Sequence, residues 1–222
     1  MNPPLTHLHP SPFEKLAELK EGIVSPADKT PIVLSIGEPA HATPAMISQT
    51  LVTNLQGLSN YPTTKGIPEL RQAIADWAAK RFSCVVDAEK QVLPVSGTRE
   101  ALFSFAQCIV DASQQPLVVM PNPFYQIYEG AALLAGAEPY FLNTTEATDY
   151  LPDFDSVPES VWQRCQLLYI CSPANPAGSV MSAECLAKLL QLAERYDFVI
   201  ASDECYSELY DDENNPPVGL LQ

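Results

Sequence analysis

Six short apolar runs punctuate the chain: "IVLSIG" (32–37), "QVLPVSG" (91–97), "PLVVM" (116–120), "EPYFL" (138–142), "QLLYICS" (166–172) and "FVIAS" (198–202). Several carry no apolar/polar alternation, the pattern of strands buried on both faces. Between them lie segments of helical period. In "GIPELRQAIADWAAKRF" the apolar positions Leu70, Ala73, Ile74, Trp77 and Ala78 fall at i, i+3, i+4, i+7 and i+8, the stripe of an amphipathic helix. "TREALFSFAQCIVD" and "YQIYEGAALLAGA" predict two more helices. "SAECLAKLLQLAERYD" offers Ser182 as N-cap, Glu184 in the first turn and a buried stripe of Leu186, Leu189, Leu190 and Ala193. Strands alternating with helices predict an α/β fold, a mostly parallel sheet covered on both faces. The proline-rich residues 1–31 read as an arm with one short amphipathic helix, and the polar stretch 143–160 as a long surface connection.

With 222 residues the chain can bury one large core. Its net charge of −15, with acids spread along the length, speaks against a nucleic-acid binder. No run is long and apolar enough for a membrane span, and the N-terminus lacks a signal-peptide core. Cys84, Cys108, Cys165, Cys171, Cys185 and Cys205 show no C-x-x-C spacing and read as buried or half-buried free thiols of a cytoplasmic protein. His7, His9 and His41 form no Cys/His cluster, so no metal site is expected.

In an open α/β sheet, ligands bind beyond the carboxyl ends of the strands. Four runs end there in residues suited to a ligand. Ser96, Gly97 and Thr98 begin a helix, where free N–H groups and the helix dipole can receive an anion; the same residues also make a plain helix start. The glycine pattern of a dinucleotide or Walker loop is absent, which disfavours a nucleotide-binding domain. Tyr125, in "PNPFYQ", can stack on a flat ring or simply pack in the core. Asn175, in "SPANPAG", is an amide in a stiff turn, and its bond to Pro176 is a candidate cis peptide. Asp203 ends a buried run, where a carboxylate needs a cation, an ion pair or water. Tyr206 lies three residues on, on the same side if the chain turns helically there.

In this order the motifs resemble the fold-type I aminotransferases, which depend on pyridoxal 5′-phosphate (PLP). "YPTTKGIPELRQAIADW" adds to the resemblance, which runs from "LSIGEP" to "DECYSELY". It implies that Gly97 and Thr98, with Ser96 or Arg99, hold the phosphate. Tyr125 would stack on the pyridine ring, Asn175 and Tyr206 would bond its hydroxyl, and Asp203 would pair with its nitrogen. Tyr61 would reach a phosphate across a homodimer interface, and Gly37 would lie beside the substrate carboxylate. The domains implied are an N-terminal arm or small-domain segment, 1–35, and a large PLP-binding domain, 36–222. "LHPSPFEKLAELKEGI" and "SIGEPAHATP" look most like the N-succinyl-diaminopimelate aminotransferases of lysine biosynthesis. The substrates would be small amino and keto acids. The lysine that forms a Schiff base with PLP should follow Asp203 by some tens of residues. No lysine follows it here, so the chain is expected to be the N-terminal part of a longer enzyme, inactive alone. The alternatives are a C–S lyase of the same fold and a non-catalytic module that kept the PLP cradle.

Overall fold

The computed structural model describes residues 3–37 and 41–222. They fall into two compact units: residues 10–67, and residues 68–222 together with the stretch that ends at His9. Glu38, Pro39 and Ala40 of the "SIGEPAHATP" stretch lie outside the described residues.

The larger unit is built on a parallel sheet of β1 (Leu117–Asn122), β2 (Glu138–Asn143), β3 (Cys165–Cys171) and β4 (Val199–Asp203), in the order β2-β1-β3-β4. Four of the six apolar runs thus become strands, within a residue or two of their expected bounds. Side chains leave the strands alternately to either face. Leu117, Val119, Leu168 and Ile170 enter one buried cluster, while Val118, Met120, Leu167 and Tyr169 enter the other. Two covered faces explain why these runs are apolar throughout.

Among the larger unit's helices are α3 (Pro68–Phe82), α4 (Thr98–Ile109), α5 (Gln126–Ala135), α6 (Glu159–Trp162) and α7 (Ala183–Tyr196). In the smaller unit, α1 (Pro12–Leu19) and α2 (Ala45–Thr53) bury no residue. Ser182 caps α7 as expected, accepting from the Cys185 amide at 3.2 Å.

Five expectations are corrected. Residues 32–37 and 91–97 form no strand. No strand among the described residues pairs with either run, and an apolar run without a ladder partner stays irregular. The face buried by α3 holds Arg71, Ala75, Ala78 and Phe82, whereas Leu70 and Trp77 are exposed. Arg71 lies on the buried face, and its guanidinium donates to the Ala88 carbonyl and to the exposed Glu89 carboxylate at the rim. A buried cation must keep such partners. On α7, Leu186 and Leu189 are buried but Leu190 is half exposed, and Leu192 and Tyr196 complete the packed face. The 143–160 connection is anchored rather than superficial, because Phe154 and Val157 insert into the core beside Trp162. The six cysteines are free, yet Cys108 and Cys205 are exposed.

Candidate functional site

The carboxyl end of β4, the two residues after it and the start of α4 meet around a cavity of about 270 Å³, lined by Thr98, Ala101, Leu102, Ser202, Asp203, Glu204 and Cys205. Gly97 is the N-cap of α4 and supplies no side-chain cap. The first amides of that 12-residue helix therefore remain available at the cavity mouth. Beyond Asp203 the chain turns, with amide-to-carbonyl bonds from Ser207 to Glu204 and from Leu209 to Tyr206. This is the turn that the D-x-x-Y spacing requires.

Contacts link the site residues in a closed circuit. Arg99 Nε donates to the Tyr125 hydroxyl at 2.8 Å. That bond raises the Arg99 pKa above its already high range. Tyr125 meets Tyr128 edge to face, with ring centroids 5.8 Å apart. The Tyr128 hydroxyl donates to Asp203 Oδ2 at 2.6 Å. The other oxygen, Oδ1, accepts from the Cys205 amide at 3.3 Å. Cys205 Sγ lies 3.4 Å from Thr98 Oγ1, next to Arg99 in sequence. Burial pushes the Cys205 thiol up.

Asn175 and Tyr206, both expected to face one ligand oxygen, are bonded to each other: Asn175 Nδ2 donates to the Tyr206 hydroxyl at 2.9 Å. Asn175–Pro176 is cis, as its sequence suggested. Ser96 is exposed at the entry to α4. Gly37 and Tyr61 belong to the smaller unit, where both are exposed.

Two residues escaped the sequence reading. Tyr128 was only one apolar position of a helix, and its partner stands 75 residues away. Arg81 was one of the polar positions of α3. Its Nη2 donates to the carbonyls of Ser207 (3.1 Å) and Pro217 (2.9 Å), and its Nε donates to Glu208 at 2.7 Å. It thereby ties the segment after Asp203 to the helix. Glu204 closes the same segment, its Oε1 accepting from Ser202 Oγ (2.7 Å) and the Leu220 amide (2.8 Å).

Among the described residues no group of three or more His, Cys, Asp or Glu side chains is placed to hold a metal, and no helix is long and apolar enough to cross a membrane.

Residues 29–219 match the family model "Aminotransferase class I and II". An LL-diaminopimelate aminotransferase of Moorella thermoacetica is 34% identical over 198 residues, covering 88% of this chain and 49% of the relative. Among solved structures, an aminotransferase from Neisseria meningitidis is 48% identical with a TM-score of 0.93, covering 100% of this chain and 56% of its own. The Helicobacter pylori aminotransferase AspB is 36% identical with a TM-score of 0.88, covering 96% and 55%. The chain thus spans about half the length of the curated relatives it matches.

Proposed function

The chain belongs to the class I and II aminotransferase family, and on that premise we propose that the protein it forms part of moves an amino group from glutamate to a keto acid, with PLP as cofactor. The residues present fit that cofactor. One wall of the cavity offers uncapped helix amides beside Thr98 and Arg99, suited to a phosphate; another offers Asp203, suited to a protonated ring nitrogen. This pairing of an anion cradle and an acid around one cavity is the observation that carries the reading.

When bound, PLP supplies a sink for the electrons left behind as a proton leaves the carbon that bears the amino group. The chain's own residues bind and orient. The Gly97 and Thr98 amides, the Ser96 and Thr98 hydroxyls and the Arg99 guanidinium hold the phosphate. Tyr125, kept in place by Arg99, lies against the ring face. Asn175 and Tyr206, already joined, offer an amide and a hydroxyl to the ring oxygen. Asp203 keeps a proton on the ring nitrogen.

For the substrate, we propose a diaminopimelate-type amino acid and its keto partner. Relatives over most of this chain are named LL-diaminopimelate aminotransferases, and the N-terminal motifs resemble the succinylated-substrate branch. In the proposed assembly, a cytoplasmic homodimer, Tyr61 reaches the partner's phosphate and Gly37 lies beside the substrate carboxylate. The proposed arm is 1–35 and the proposed cofactor domain 36–222, with residues 36–67 of that domain lying in the smaller compact unit.

The test uses the full-length protein. A yellow, borohydride-reducible cofactor is expected, together with conversion of glutamate to 2-oxoglutarate that depends on the keto acid supplied. Asp203→Ala should weaken PLP binding and nearly abolish turnover. Unchanged turnover in that variant refutes the role of Asp203, and no amino transfer to the keto partner of diaminopimelate, with or without its succinyl group, refutes the substrate class.

A further inference from the structure

An acid at the end of a strand is free to rotate about two side-chain bonds, and a ring nitrogen needs it in one orientation. The cavity wall contains a device for this. Tyr128, 1% exposed on α5, spends its hydroxyl on Asp203 Oδ2 at 2.6 Å, while the Cys205 amide takes Oδ1. We propose that Tyr128 is a positioning residue that holds the Asp203 carboxylate toward the cavity, so that it meets the ring nitrogen of bound PLP. This rests on the functional reading above and assigns the residue that makes its acid work.

Three observations support the assignment. Anchors from two elements, α5 and the turn after β4, fix both torsions of the carboxylate, where either alone would leave one free. Tyr128 is itself immobilised. Its ring stacks on Tyr169 with centroids 4.5 Å apart and planes 7° apart, and meets Tyr125 edge-on. Tyr169 in turn donates to the Leu102 carbonyl of α4 at 2.6 Å. The packing thus registers α5, β3 and α4 around one hydroxyl. Finally, Tyr128 is a permanent donor. Burial, reinforced by the bond to Asp203, pushes its pKa far above the usual tyrosine value. The nearby titratable groups, the thiols of Cys171 and Cys205, are also pushed up by burial. Neither thiol therefore gains a charge in the neutral range. A histidine in the same place would titrate between about pH 5 and 8, and the orientation of Asp203 would follow it.

The experiment uses the full-length protein reconstituted with PLP carrying nitrogen-15 in its ring. Tyr128→Phe keeps both ring contacts and removes only the hydroxyl. The affinity for PLP is expected to fall about tenfold, the scale of one hydrogen bond to a charged group. The nitrogen-15 shift should report that the ring nitrogen loses its proton at a lower pH than in the unsubstituted protein. Leu189→Ala, in the core on the opposite face of the sheet, serves as the comparison: it should lower the melting temperature and leave the ring-nitrogen titration in place. An unchanged affinity and titration in Tyr128→Phe overturns the role, as does a titration that shifts equally in both variants. A failure of the unsubstituted protein to bind PLP overturns the functional reading, and this role with it.

Discussion

Gly219→Ala adds a single methyl group where the structure has no room for one. A Cβ built on Gly219 would lie 2.6 Å from Phe82 Cε1, 2.7 Å from Glu204 Oε2 and 3.0 Å from Phe82 Cδ1, against ordinary contacts of 3.4–4 Å. Phe82 cannot give way freely. It is 3% exposed, Trp77 packs edge-on to it with centroids 5.5 Å apart, and the Arg81 guanidinium lies 4.7 Å from its centroid. Forcing a methyl into such packing costs about 1–3 kcal/mol. Moving Glu204 aside instead strands the Leu220 amide, whose bond to that carboxylate is worth about 1.5–3 kcal/mol. Either way the loss is about 1–3 kcal/mol, a fall in melting temperature of a few degrees. The measurement is thermal unfolding of the full-length protein followed by circular dichroism. Phe82→Leu provides the cross-check, since a smaller side chain leaves space for the methyl. The double variant should be less destabilised than the two single losses combined, by about 1 kcal/mol or more. A Gly219→Ala protein that melts within about 1 °C of the parent refutes the close packing, and strict additivity refutes Phe82 as its cause.

Burial raises the Cys165 pKa to about 12 from an ordinary value of 9.0. Above pH 9 the unfolded thiol then loses its proton before the folded one, so stability falls as pH rises from 9 toward 12. Cys165→Ala should make that fall shallower in urea titrations. Alkylation at pH 8 should label the exposed Cys108 first, Cys205 more slowly because its thiol is pushed up, and spare Cys165; added PLP should slow Cys205 further, since it lines the cavity. Arg99→Ala removes both a phosphate cation and the restraint on Tyr125. PLP affinity should drop about tenfold or more by fluorescence titration, and an unchanged affinity would place the phosphate elsewhere.

Much of the architecture was legible because both faces of its sheet are covered. A run such as "QLLYICS" has to be apolar at every position when Leu168 and Tyr169 enter opposite cores. Apolarity alone does not make a ladder, however: 32–37 and 91–97 read as strands, yet they pair with no strand among the described residues and leave Ile32, Val33, Leu34 and Leu93 exposed. The orientation of α3 was illegible for a related reason. A count of apolar positions weighs Leu70 and Trp77 heavily and gives Arg71 no weight, yet Arg71 is buried, tied to the Ala88 carbonyl and to Glu89. Of the candidate residues, Thr98 and Asp203 come to line the cavity and Asn175 and Tyr206 bond each other, and all four stood out because each sits just beyond an apolar run, within a local motif. Tyr128 and Arg81 did not. Their partners lie 75 and 126 residues away, and a contact across that distance leaves no periodic trace.

Four consecutive residues at the end of β4 divide the work between site and scaffold. Asp203 answers to Tyr128, Cys205 to Thr98 and Tyr206 to Asn175, whereas Glu204, which also borders the cavity, spends its Oε1 on Ser202 and Leu220. Substitution at 203 or 204 should therefore fail in different ways. Glu204→Ala frees the Leu220 amide and the Ser202 hydroxyl together and loosens a segment that Arg81 still ties to α3. The expected loss is about 2–4 kcal/mol, for two hydrogen bonds to one charged group. Cofactor affinity should fall in Glu204→Ala only as the turn that carries Asp203 loosens. It should recover at low temperature or in a stabilising osmolyte, which strengthens burial without touching the ring nitrogen. Loss of affinity in Asp203→Ala should persist under the same conditions, because no stabilisation replaces a missing charge. If osmolyte restores both variants or neither, the division between a site acid and a scaffold acid at adjacent positions is wrong.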